Sequence, residues 1–244
     1  MVHRQTDAVQ LPDGEPPFGP WRVRRIDDVL HEVLDDATGT RLGDVVGDVV
    51  GDLLGEVVHD VDGRPPLLAV DGRSGSGKTT VAERILAWVP GSAVVHTDDV
   101  AWHHAMFDWS ALMSEGVLAP LRRGEAVAFR PPPWDARGRP GAVSVPAGCP
   151  LVVVEGVGIG RRDLAAFFDA LVWVQTDRAL AWARGLARDG GGPAQEAFWH
   201  EWEAEELPFL AADRPWDRAD VVVDGAPGLP HDPATEMVVA EHPA

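Results

Sequence analysis

The chain of 244 residues carries 21 basic against 39 acidic side chains, a formal net charge of −18, and 45% of it is hydrophobic. That length suits one α/β domain with an appendage, and the apolar share supplies a sizeable core. The acidity argues against a non-specific nucleic-acid binder or a protein held on anionic lipid, both of which need a basic face.

Cys149 is the single cysteine, which excludes an intrachain disulfide and cannot build a zinc cage alone. No apolar run approaches the ~20 residues of a membrane span, and the first residues lack the apolar stretch of a signal peptide. A soluble, cytoplasmic protein with neither a membrane nor a nucleic-acid partner is expected. Tyrosine is absent while tryptophan occurs ten times, so stacking in any site falls to Trp, Phe or His. Only one of the 21 basic residues is a lysine, Lys78. In a composition so biased to arginine, that lysine marks a position where arginine will not serve.

In chain order, residues 1–21 are rich in Pro, Gly and charge and read as a poorly ordered lead-in. From residue 26 to about 36, Ile26, Val29, Leu30, Val33 and Leu34 recur at helical spacing. A four-residue repeat follows, with Gly43, Gly47, Gly51 and Gly55 each leading an acid and two aliphatic residues. On a helix it draws apolar, acidic and glycine stripes that drift slowly round the axis. Each glycine costs roughly 0.8–1 kcal/mol against alanine, so the helix needs packing to persist. Packing on the following domain, self-association into a homodimer and a mobile repeat are the three readings. Residues 1–66 are thus expected to form an N-terminal extension, of which residues 1–63 are dispensable for chemistry if they only pack on or tether the core.

From residue 67 the pattern changes. Short, nearly all-apolar runs at 67–70, 93–96, 151–155, 171–175 and 219–223 alternate with helical patterns at 79–89, 109–121, 162–168, 178–188 and 194–212. Such alternation predicts a mainly parallel five-stranded sheet covered on both faces, an α/β three-layer sandwich over residues 67–225. The Pro/Gly-rich stretch 129–150 predicts a small hairpin or lid-like excursion, and residues 226–244 a polar tail.

Gly72-Arg73-Ser74-Gly75-Ser76-Gly77-Lys78-Thr79 fits G-x-x-x-x-G-K-[ST], with a predicted strand before it and a predicted helix after it. Its backbone N–H groups can curl round a phosphate, Lys78 can reach the β and γ phosphates, and the Thr79 hydroxyl can ligate Mg2+. Glu155, ending an apolar strand beside this loop, is a candidate for holding magnesium directly or through water. Asp98 and Asp99 follow the 93–96 strand, where a carboxylate can take a proton from an acceptor hydroxyl or help hold the metal. Arg184 and Arg188, four apart on one helical face and leading into Gly190-Gly191-Gly192, can close over phosphates. Arg161-Arg162 carries a weaker version of that signal. His96, His103 and His104 lack metal-site spacing, and Pro131-Pro132-Pro133 reads as a rigid turn into Trp134-Asp135.

Together these residues resemble the uridine kinase/phosphoribulokinase group of P-loop kinases, which also includes nicotinamide riboside and pantothenate kinases. The resemblance spans residues 67–225. It implies a P-loop NTPase sandwich, ATP and Mg2+ as cofactors, and phosphate contacts from Gly72, Ser74, Gly75, Ser76, Gly77, Lys78, Thr79 and Thr80. It implies that Asp98 is the catalytic base, that Thr79, Glu155 and Asp98 attend the metal, and that Asp177, Arg184 and Arg188-Asp189 belong to a lid helix, with Gly185 where an arginine is usual. Pro133-Trp134-Asp135 is similar to a segment whose aspartate holds the acceptor's sugar hydroxyls. Asp135 is then the hydroxyl holder, with Trp134 or Trp102 stacking on the acceptor's ring. The implied activity is transfer of the γ-phosphate to a nucleoside or related pentose compound. A GTPase switch is disfavoured, because an Asn-Lys-x-Asp guanine motif needs a second lysine. A nucleotide-binding regulatory or assembly module, using the acidic repeat for partners, is the alternative from another class.

Overall fold

Five strands of β-branched and aliphatic residues supply the centre of the molecule: β2 (Leu67–Asp71), β3 (Ala93–His96), β6 (Val152–Glu155), β7 (Ala170–Gln175) and β8 (Val221–Asp224). All run parallel, in the order β8-β7-β2-β6-β3. The computed structural model describes residues 10–11, 14–38 and 63–241; the glycine repeat at 43–58 lies outside them. Side chains alternate between two cores. Leu67, Ala69, Val152, Val154 and Trp173 enter one, while Leu68, Val70, Leu151, Val153 and Val172 enter the other. Helix α1 (Ile26–Thr38) and helix α2 (Lys78–Trp88) close the second core. The first is closed by a helical run of α4 (Ser110–Met113), a π turn (Ser114–Leu118) and α5 (Ala119–Arg122), and by Leu210 of the long helix α8 (Pro193–Asp213). Helix on sheet on helix makes the three-layer sandwich.

The sheet is wider than five strands. β9 (Glu236–Glu241) pairs antiparallel with β8, and β1 (Arg22–Arg25) pairs antiparallel with β9, giving seven strands. Both come from segments expected to lie outside the sheet. The chain recrosses the edge of the parallel sheet, and Met237, Val238, Val239 and Ala240 are buried there. The lead-in is also packed in part. Glu15 and Phe18 are buried, with the Trp173 indole donating to Glu15 Oε1 at 2.8 Å and the Phe18 amide to Gln175 Oε1 at 3.1 Å.

The excursion at 129–150 is a hairpin of β4 (Val127–Phe129) and β5 (Val143–Val145), with α6 (Pro132–Ala136) between them. The helix expected at 162–168 is reduced to a 3-10 turn at Ala165–Phe167, closed by tight bonds such as the Phe168 amide to the Ala165 carbonyl. α3 (Thr97–Ala101) follows β3, and α7 (Arg178–Arg188) follows β7. Among the described residues no helix is long and apolar enough to cross a membrane.

Candidate functional site

Strand β2 delivers the chain into the phosphate-loop motif, and α2 begins at Lys78. Gly75 has φ +76°, and a Cβ there would lie 2.1 Å from the Ala181 carbonyl oxygen of α7, so the loop needs glycine twice over. Lys78 is buried and donates from Nζ to the Arg73 carbonyl at 3.0 Å. The loop is pinned at its start by Asp71. That fully buried carboxylate accepts from the amides of Gly72 (2.7 Å), Gly158 (2.8 Å) and Gly160 (2.9 Å). Burial pushes Asp71 up to about 6, although those three hydrogen bonds and the Lys78 charge pull the other way.

The parallel register sets His96 of β3 beside Glu155 of β6. His96 Nδ1 lies 2.6 Å from Glu155 Oε1, and the Thr79 hydroxyl donates to the same oxygen at 3.2 Å. Burial pushes the Glu155 carboxyl up, but the His96 hydrogen bond and the Lys78 charge outweigh it and hold the group below the usual range. The same hydrogen bond holds His96 above its ordinary value. A hydroxyl and a carboxylate in contact, with the Asp98 carboxylate on the same cleft, form an oxygen donor set of the kind Mg2+ takes. No three His, Cys, Asp or Glu side chains among the described residues converge on one cation, so a metal here would draw most of its ligands from water and phosphate.

Asp98 and Asp99 part company on α3. Asp98 is exposed to the cleft and makes no hydrogen bond or ion pair among the described residues. Asp99 pairs with Arg139, and its carbonyl accepts from the Trp134 indole at 2.8 Å. The Arg139 guanidinium lies 3.7 Å from the Trp134 ring centroid and 5.1 Å from that of Trp102. Trp134 is therefore buried behind Asp99 and Arg139, and Asp135 turns to Arg130, whose Nε donates to it at 2.8 Å. Neither lines either of the phosphate-loop clefts, and Arg130 also reaches the Arg139 carbonyl at 3.0 Å. Trp102 does line it.

Two clefts meet at the phosphate loop and share Gly75, Lys78, Thr79 and Arg188. The first, about 450 Å³, holds Ser74, Asp98, Glu155 and the rings of Trp102, Phe198 and Trp202. The second, about 560 Å³, holds Gly77, Thr80, Arg84, Arg184, Asp224 and His231. Gly72 and Ser76 lie in the loop but line neither cleft. Arg184 is tied to the Gly225 carbonyl at 2.8 Å and faces only the second cleft. Arg188 spans both and pairs with Asp189 at 2.8 Å, a hydrogen bond that raises its already high pKa further. Asp177 caps α7, accepting from the Leu180 amide at 3.0 Å and the Gln10 amide at 2.8 Å. At Gly185 a Cβ would lie 2.0 Å from the Trp199 ring, so the departure from the lid-helix pattern makes room for a tryptophan whose indole supports Asp189 at 2.9 Å. Arg161 is absorbed by structure, bonding the Phe107 carbonyl and facing the Trp109 and Phe209 rings.

Several residues here escaped sequence reasoning: Asp71, His96 as a partner of Glu155, Arg139, and the trio Arg73, Glu203 and Glu206. Each acts through a partner far along the chain, so no local pattern flags it.

No family model and no curated protein matches the chain. Among solved structures it is similar to one described as a possible uridine kinase from Bacillus stearothermophilus, at 17% identity over 78% of this chain and 99% of that one, TM-score 0.47. It is also similar to a chain described as a proposed fructose transport system kinase from Silicibacter sp. TM1040, at 21% identity over 74% and 97%, TM-score 0.47. A third is TT1252 from Thermus thermophilus, at 21% identity over 68% and 91%, TM-score 0.40.

Proposed function

We propose that this chain is an ATP-dependent small-molecule kinase that transfers the γ-phosphate to a hydroxyl of a nucleoside or related pentose-containing acceptor. One observation carries the reading: a carboxylate unpaired among the described residues, Asp98, faces a ring-lined cleft that meets a second cleft at the phosphate loop. Two substrates can then approach the same phosphates, one from each cleft.

In this reading the nucleotide lies in the second cleft with its phosphates in the loop, where the N–H groups and the Lys78 charge offset phosphate repulsion. The acceptor lies in the first cleft. Asp98 takes the proton of its hydroxyl as oxygen bonds to the γ-phosphorus and the bond to the β,γ-bridging oxygen breaks, leaving ADP and a phosphomonoester. Arg188, reaching both clefts, stabilises charge on the transferring group. Thr79 and Glu155, with Asp98 near, would hold Mg2+, which when bound neutralises charge on the β and γ oxygens. Rings of Trp102, Phe198 and Trp202 suit a planar heterocycle on the acceptor.

A panel of nucleosides, vitamins and sugars, screened for acceptor-dependent release of ADP from ATP and Mg2+, tests the reading. Release that rises with one class of acceptor is the expected result. Nucleotide binding with no acceptor-dependent turnover across the panel would favour a regulatory or assembly module instead.

A further inference from the structure

Arg73 is the second residue of the phosphate loop and is only 3% exposed. Its guanidinium meets two carboxylates of α8: Glu203 at 3.4 Å and Glu206 at 3.6 Å. Glu206 is itself 1% exposed and accepts from the backbone amide of Ser74, at the tip of the loop, at 2.7 Å. Glu203 also receives Arg178 of α7 at 2.7 Å. A loop meant to present its N–H groups to phosphate therefore has its tip held by a helix 130 residues further along.

The same helix lines the first cleft with Phe198, Trp199 and Trp202. Trp199 also packs on Gly185 and bonds Asp189 beside Arg188. α8 follows Gly190-Gly191-Gly192, all three at positive φ and open on every side to a Cβ. One helix thus contacts the phosphate loop, the arginine-bearing end of α7 and the wall of the first cleft. Arg73 Nε and Nη1 are buried without a hydrogen-bond partner among the described residues. Glu203 and Glu206 are thus the nearest carboxylates to offset its buried charge, and moving α8 would cost that compensation.

We infer that Glu206, with Glu203 and Arg73, is a positioning residue that sets the phosphate loop from α8, so that nucleotide binding at the loop and the conformation of the first cleft's helical wall are one linked equilibrium. This rests on the loop being a nucleotide site, as proposed above. By reciprocity, whatever fills the first cleft and fixes α8 also tightens nucleotide binding.

The test uses the full chain and the non-hydrolysable analogue adenylyl imidodiphosphate with Mg2+. Affinity is measured by calorimetry for the wild type, Lys78→Ala, Glu206→Gln and Glu206→Ala, and amide exchange is followed across residues 198–206 with and without the analogue. In the wild type, the analogue should slow exchange in 198–206, although none of those residues lines the second cleft. Glu206→Ala should weaken binding about tenfold and abolish that response, whereas Glu206→Gln, still able to accept from the Ser74 amide, should stay within about threefold. A purely structural role would lower the melting temperature of Glu206→Ala and leave its affinity and the exchange response intact, overturning the inference. Should Glu206→Ala not fold, the wild type decides: binding with unchanged exchange in 198–206 overturns the linkage but leaves the nucleotide site standing. No binding at all in the wild type, equal to Lys78→Ala, overturns both.

Discussion

Asp98 and Asp99 are neighbours in the chain with different obligations. Asp99 is held by Arg139 and by the stack of that guanidinium on Trp134, whereas Asp98 faces the first cleft with no hydrogen bond or ion pair among the described residues. A carboxylate already paired to a guanidinium is a poor proton acceptor, so in the proposed reaction Asp98 is the candidate base of the two. Asp98→Asn should cost about 10²–10⁴ in turnover with nucleotide affinity nearly intact. Asp99→Asn should instead loosen the hairpin, read as a lower melting temperature; a larger turnover loss there would reverse the assignment. Asp71 offers a second residue-scale test. Burial raises its carboxyl from 3.8 to about 6 in the folded protein, so the native state binds the proton more tightly than the unfolded chain. Its contribution is therefore full below the unfolded value and lost as pH rises through about 6, and stability falls with pH across that window. Asp71→Asn cannot titrate, so the stability difference between wild type and variant should change between pH 4 and 6 and level off above it. Denaturant titrations at several pH values measure this, and a difference independent of pH would refute it.

At the scale of elements, helix packing explains a residue that looks out of place. Gly185 lies inside α7, where glycine costs about 1 kcal/mol against alanine, yet it admits the Trp199 ring of α8. Gly185→Ala should therefore destabilise the protein by about 1–3 kcal/mol despite its better helix propensity, because the overpacked ring must move. Trp199→Ala in that background should recover part of the Gly185→Ala effect; chemical denaturation of the two singles and the double closes the cycle. Repeating helical spacing made α7 and α8 legible in the sequence. What they carry was only half legible. Arg184 and Arg188 do face the phosphate-loop clefts; on α6, by contrast, Trp134 is buried against Arg139 and the exposed Asp135 pairs with Arg130.

For the whole molecule, the N-terminal segment is part of the fold. Ile26, Val29, Leu30, Val33 and Leu34 of α1 close one face of the sheet, β1 covers β9, and Glu15 satisfies the buried Trp173 indole and the Gln175 amide. A chain starting at residue 64 would lose all of these, and each buried Ile or Leu removed from a core costs about 2–5 kcal/mol. Such a truncation should fail to give a cooperative thermal transition; a truncated chain that folds and turns over would show instead that residues 1–63 are dispensable. A gentler version is Glu15→Ala, expected to cost about 1–3 kcal/mol by orphaning two buried donors, with Glu15→Gln costing less. An unchanged melting temperature in Glu15→Ala would show that the segment does not hold the sheet.

Sequence by itself determined what depends on neighbouring residues: five parallel strands, most of the helices between them, and a phosphate loop written in eight consecutive positions. Those features arise from periodicity and from backbone geometry that only particular residues adopt, and both are local. The two antiparallel strands stayed hidden for different reasons. β1 is mostly charged, and β9, although Met237-Val238-Val239-Ala240 is an apolar run, sits in a tail otherwise rich in Pro and charge and follows no helix of the alternating pattern. Tertiary structure alone decided which of two adjacent aspartates is paired to an arginine, why a helix carries Gly185, and that Glu206 reaches Ser74 across 132 positions of chain. Hydrogen bonds and ion pairs between distant segments leave no periodic trace, because their partners meet only after the sheet has brought the segments together.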